Sequence, residues 1–204
     1  MILEQLSQYP YLNRVILSQV LQKEGVGVDY WVNKLLKDKT LIPLKKGLYT
    51  SSLFLLPVQE NPGEGERYQE YLANIIRYPS YISGEYVLAK YGLIPEAVYG
   101  ITSVTVKSTR TFDTPMGGFY YRNIKKELFS GFRQSEFRDK KINIAEPEKA
   151  LFDFLYLKPK LPKEEILEGL RINWRELDKK RRENFINYCQ LSKSSKMLEI
   201  SKYI

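Results

Sequence analysis

The chain has 204 residues, 43% hydrophobic and 27% charged, a balance that supports a packed core. It contains no histidine and one cysteine, Cys189, which excludes Ser-His-Asp and Cys-His catalysis, His-ligated zinc and an internal disulfide. The formal net charge of +8 is uneven: residues 53–100 carry an acidic excess, whereas 1–52, 101–141 and 142–204 are basic, and such an excess favours polyanionic partners.

The N-terminus, Met1-Ile2-Leu3-Glu4-Gln5, has neither a basic n-region nor an apolar h-region, so no signal peptide is expected and the cytoplasm is the expected compartment. No apolar run approaches the ~20 residues that span a bilayer. Ile2, Leu3 and Leu6 predict a short helix ending near Tyr9-Pro10. A second helix is predicted over about 12–23, with Leu12, Val15, Ile16 and Val20 facing inward and Leu17 a further candidate for that face. Gly25 and Gly27 flank a turn, and Asp29 opens a third helix reaching Lys37. Val28, Val32, Leu35 and Leu36, with Trp31 alongside, form its apolar stripe; Tyr30, Asn33, Lys34 and Lys37 fall on the other face. Two β-like runs then flank Lys45-Lys46-Gly47, a hairpin signal.

Three helices and a basic-tipped hairpin predict a winged helix-turn-helix over 1–52. A helix of this kind reads base edges in the major groove. There Asn33 can pair with adenine N6/N7, Lys34 can donate to guanine O6/N7, and Tyr30 can meet a sugar or a thymine methyl. Lys37 and Lys39 at the helix end are expected at phosphates, and Lys45 and Lys46 on the wing tip at the backbone or minor-groove edges.

Two prolines and two glycines in a polar stretch mark 53–66 as a linker. From 67 to 204 a larger mixed domain is expected, with a mainly antiparallel sheet and C-terminal helices, which makes the whole chain α+β. Its predicted elements are a helix over 67–77, a short strand at Tyr81-Ile82 and a helix over 84–91 ending at Gly92. Strands follow at 101–106, 109–114, 119–122 and 142–144, then helices at 147–157, 163–170, 174–178, 181–190 and 192–199.

Lys107, Arg110, Arg122, Lys125, Lys126, Arg133 and Arg138 lie on or near the β-rich region. They suggest a second positive face for nucleic acid, although strand alternation can equally disperse them. Glu146-Pro147-Glu148-Lys149 with Asp153 admits a metal-dependent nuclease reading, but Pro147 fits a helix start whose first turn favours acidic residues. No glycine-rich phosphate loop is present, and neither metal nor cofactor is expected.

Several segments resemble the AbiEi-type antitoxins. One is Val32-Asn33-Lys34-Leu35-Leu36, continuing through Lys45-Lys46-Gly47-Leu48-Tyr49-Thr50. Tyr78-Pro79-Ser80-Tyr81-Ile82-Ser83, Tyr91-Gly92-Leu93-Ile94-Pro95-Glu96, Ile101-Thr102-Ser103-Val104-Thr105 and Phe112-Asp113-Thr114-Pro115-Met116-Gly117 follow in the family's order. Tyr121-Arg122-Asn123-Ile124 and Ile144-Ala145-Glu146-Pro147-Glu148-Lys149-Ala150-Leu151-Phe152-Asp153 complete the set, although the family often has His at the place of Asn123. The resemblance implies a non-enzymatic antitoxin of a type IV toxin–antitoxin system in phage defence. Such a protein represses its own operon by binding double-stranded DNA at upstream repeats, and opposes a nucleotidyltransferase-like toxin without a stable complex. The alternatives are an adaptor whose winged helix binds a protein and, behind it, the nuclease. The oligomeric state is open.

Overall fold

A computed structural model describes residues 2–159 and 169–203. The chain is mixed α+β. It opens with α1 (Ile2–Leu6), β1 (Leu12–Asn13), α2 (Arg14–Leu21) and α3 (Val26–Lys37), followed by the hairpin β2 (Leu41–Lys45) and β3 (Leu48–Ser51). β3 is the middle strand of an antiparallel three-stranded sheet with β1 and β2 at its edges. The second helix starts later than its periodicity suggests, because Leu12 and Asn13 are drawn into register with Tyr49 and Leu48. Asn13 then caps α2, its side-chain oxygen accepting from the Ile16 N–H at 2.9 Å. That shift turns Val15 outward, 65% exposed, and settles the candidate Leu17 in the core. Leu6, Leu17, Val20, Val28, Val32 and Leu35 are among the residues of this small core.

The stretch expected as a linker is ordered. Ser51 caps α4 (Ser52–Glu60), accepting from the Phe54 N–H at 3.1 Å, and its hydroxyl donates to the Leu6 carbonyl at 3.1 Å. Pro57 sits inside this helix on an exposed position. An interior proline costs ~3 kcal/mol. Phe54, Leu55 and Val58 are buried on the opposite side, and three such side chains at ~1.5–3 kcal/mol each outweigh the loss.

The larger unit comprises α5 (Glu64–Ile76), β4 (Ser80–Ile82), α6 (Glu85–Lys90), β5 (Gly100–Thr105), β6 (Arg110–Thr114), β7 (Gly117–Asn123), β8 (Phe132–Phe137), β9 (Lys140–Ala145) and α7 (Pro147–Leu157). After a 3-10 turn at Trp174–Glu176 come α8 (Lys179–Ser192) and α9 (Ser195–Ile200). The helix predicted over 163–170 falls largely outside the described residues, and only part of the 174–178 prediction is helical.

The six strands are ordered β6-β7-β5-β4-β9-β8. β5–β7 and β4–β9 are parallel; the other neighbouring pairs are antiparallel. Tyr121, in register with Ser103, donates its hydroxyl to the Ala73 carbonyl of α5 at 2.6 Å. Thr102, one residue along and so on the opposite face, packs against Gly84 at the start of α6. The sheet is therefore covered by α5 on one side and by α6 and α7 on the other. The two units are tied together: Leu44 and Leu48 of the hairpin join the larger core, and Tyr68 of α5 donates to the Pro10 carbonyl at 2.6 Å while bonding Thr50 Oγ1 at 2.5 Å.

Candidate nucleic-acid interface

The outward face of α3 carries Tyr30, 66% exposed, with Asn33, Lys34 and Lys37 also exposed. Val28, Val32 and Leu35 hold the other side of the helix in the small core, so burial of the stripe decides which residues face solvent. The start of α3 is fixed by Arg14 of α2, which pairs with the Asp29 carboxylate and donates to the Gly25 carbonyl at 3.0 Å. The Arg14 hydrogen bond holds the Asp29 carboxyl below the usual range. Lys34 Nζ lies 4.7 Å from the Trp31 ring centroid, within cation–π range. At the helix end, Asp38 accepts from the Thr40 N–H at 3.0 Å and Lys39 takes a left-handed φ of 62°, which turns the chain into the hairpin.

The two lysines of the β2–β3 hairpin separate. Lys46 is exposed beside Gly47, whose φ of 74° closes the hairpin. Lys45 instead turns inward and donates to the carbonyl of Ile76, the last residue of α5, at 2.5 Å. A cation is favoured there by the helix dipole. Burial lowers the Lys45 pKa, and the cations Lys107, Arg77 and Arg110 nearby lower it further. The expectation that Lys45 projects with Lys46 from the tip is thus corrected: it sits where the hairpin meets β6.

Arg77, absent from the expected set, belongs to this group. It donates to the Ser108 carbonyl at 2.6 Å and to the Ser108 hydroxyl at 2.9 Å. Lys45 holds the carbonyl of Ile76 next to Arg77, Arg77 holds Ser108 next to Lys107, and the hairpin packs on β6, so four cations gather around the end of α5. Like charges brought together in this way repel, and an anion relieves the repulsion. The sequence hides Arg77 because it lies in the acidic 53–100 segment.

The seven basic residues of the β-rich region do not form one face. Arg110 is in register with Tyr121, so Arg122 projects from the other side of the sheet. Arg122 borders a cavity of about 290 Å³ with Thr109, Asn123, Asp153 and Lys158. Lys125 and Lys126 are exposed in the turn after β7. Arg133 donates to the Tyr91 hydroxyl at 2.6 Å and lies 3.3 Å from Glu146. Arg138 pairs with Glu64 at 2.9 Å. These two belong to β8 and the turn after it, at the opposite edge of the sheet from β6. Five strand spacings separate the edges, on the order of 24 Å.

The carboxylates of the Glu146–Asp153 segment are engaged internally. Asp153 accepts from Lys149 Nζ at 2.5 Å, the Ser83 hydroxyl at 2.7 Å and the Tyr81 hydroxyl at 2.9 Å, deep in the core. Glu148 is buried and accepts from the Asn184 amide at 2.9 Å. Among the described residues, no group of three or more His, Cys, Asp or Glu side chains is placed to hold a metal ion, and no helix is long and apolar enough to cross a membrane. No protein-family model matches the chain, and the comparison with curated proteins gives no significant relative.

Proposed function

We propose that this chain is a non-enzymatic, cytoplasmic DNA-binding regulator whose first 52 residues act as a winged helix-turn-helix. α3 enters the major groove, where Asn33 and Lys34 meet base edges, Tyr30 meets sugar or a thymine methyl, and Lys37 and Lys39 meet phosphates. Lys46 reaches the backbone from the wing, and Lys107, Arg110 and Arg77, with Lys45 behind them, extend the phosphate contact into the second unit. The outward face of α3, with Tyr30, Asn33, Lys34 and Lys37 exposed opposite the stripe buried in the small core, is the observation that carries the reading. The resemblance to AbiEi-type antitoxins gives the biological setting: repression of the chain's own operon from upstream repeats, and relief of a nucleotidyltransferase-like toxin without a stable complex.

The test is binding to the DNA upstream of the gene, titrated with salt. Wild type is expected to prefer that DNA over random sequence. Asn33→Ala/Lys34→Ala should lose the preference while keeping its salt slope within about one charge. Lys107→Glu/Arg110→Glu should weaken binding to both DNAs and flatten the logarithmic salt slope by about two. Equal affinity of wild type for both DNAs at moderate salt would sink the repressor reading, and capture of a protein partner would then favour the adaptor.

A further inference from the structure

Val26, the first residue of α3, is 86% exposed. Successive helical residues turn by about 100°. Val26, Tyr30, Asn33 and Lys37 are spaced i, i+4, i+7 and i+11 and so fall on one line along the helix. All four are exposed, and the buried Val28, Val32 and Leu35 occupy the opposite side. Lys34 stands beside the line, over the Trp31 ring. Tyr30 meets the same ring edge-on, with centroids 6.2 Å apart and planes at 85°. The line is thus apolar where α3 begins and cationic where it ends.

The approach to Val26 is clear. Gly25 and Gly27 flank it without side chains, and a Cβ added at Gly25 would meet nothing within 4 Å. Asp29, the acid of the first turn, is paired with Arg14, which balances a charge that would otherwise repel a phosphate backbone. An exposed valine by itself is ordinary. This one heads the outward line of a helix, and the N-terminal residues of a recognition helix are those that reach base edges. The valine side chain has neither donor nor acceptor, so an alkyl group is what it can distinguish. Among the base edges of the major groove, thymine presents one, its C5 methyl.

We infer that α3 selects A·T pairs, with Val26 seated on a thymine C5 methyl and Asn33 at an adenine. The inference rests on the reading of α3 as a DNA-recognition helix, and it adds the class of base pair that the helix reads. Seven residues at a rise of ~1.5 Å place the two side chains about 10 Å apart along the axis, roughly three base-pair steps of ~3.4 Å.

The experiment measures binding of the full chain to the DNA upstream of its gene and to the same DNA with deoxyuridine replacing thymidine one position at a time, which removes the C5 methyl alone. Random DNA is the reference. Wild type should prefer the upstream DNA and lose about fourfold in affinity at each methyl that Val26 covers. Val26→Ser, a change at an exposed position, should lose about as much on the thymidine DNA and show no further loss when that methyl is removed. The assignment is overturned, with DNA recognition left standing, if wild type prefers the upstream DNA but responds to none of the deoxyuridines, or if Val26→Ser stays as sensitive as wild type. Equal affinity of wild type for upstream and random DNA removes the recognition helix itself, and the Val26 contact with it.

Discussion

Lys149 and Asp153 stand one turn apart on α7, and both side chains are enclosed, at 0% and 1% exposure. Burial pushes the Lys149 ammonium down and the Asp153 carboxyl up; their mutual attraction opposes both shifts. The Tyr81 and Ser83 hydroxyls complete the coordination of the carboxylate. Removing one member leaves a buried charge without its partner, so Lys149→Met and Asp153→Leu are each expected to cost about 3–5 kcal/mol. Replacing both, as Lys149→Met/Asp153→Leu, should cost clearly less than the sum of the single changes. Urea unfolding of the four proteins measures the difference, and strict additivity would contradict the coupling. Helical periodicity reveals the start of α7 at Pro147 and a stripe through Ala150, Leu151, Phe154 and Leu155, of which Phe154 is only half-buried while Phe152 is enclosed instead. It does not reveal this pair, because periodicity counts apolar residues and α7 is covered on more than one side.

At the scale of an element, α4 is where composition misleads. Pro57, Pro62, Gly63 and Gly65 are the punctuation of a loop, yet Ser51, Phe54, Leu55 and Val58 carry capping and apolar spacing that outweigh it. Ser51 serves two helices at once, through the Phe54 N–H and the Leu6 carbonyl. Ser51→Ala should therefore lower stability by about 1–3 kcal/mol, more than a solvent-exposed cap, because the Leu6 carbonyl is left buried without that donor. A loss well under 1 kcal/mol in denaturant titration would show that α1 and α4 are not joined through this residue. β8 is the strand that the sequence conceals: Arg133-Gln134-Ser135-Glu136 is polar on both faces, as an edge strand with one neighbour can be. The solvent face of α3 was legible by contrast, since Val28, Val32 and Leu35 fix its orientation from spacing alone.

Across the whole molecule, partners distant in sequence decide what spacing cannot. No periodicity states that β4 pairs in parallel with β9, or that Lys45 meets Arg77, Lys107 and Arg110; these follow from how the hairpin docks on the sheet. The same kind of distant pairing shapes the response to acid. Lys90 donates to Glu66 at 2.8 Å and to buried Glu70 at 2.7 Å, and Tyr86 donates to both carboxylates. The Lys90 hydrogen bond, helped by Tyr86, holds the Glu66 carboxyl below its ordinary value of 4.5. A depressed folded value means that the stabilisation is present above 4.5 and is lost as pH falls through the folded value. Lys90→Met leaves two carboxylates to share one phenol, which raises the pKa of one of them. Wild type should therefore weaken as the pH drops below 4.5, whereas Lys90→Met should gain stability between neutrality and about pH 5. Thermal unfolding across that range distinguishes the two slopes.

β4 has three residues and lies between β5 and β9, and its parallel contact joins Ile82 to Ile144. The first core, drawn from residues 6–41, is complete early in the chain, whereas the second sheet is not. During synthesis a growing chain thus presents all residues of its first core while one side of β4 awaits residues 140–145. A chain that ends between Ile82 and Lys140 carries an unpaired edge on β4, a species that chaperones would have to handle.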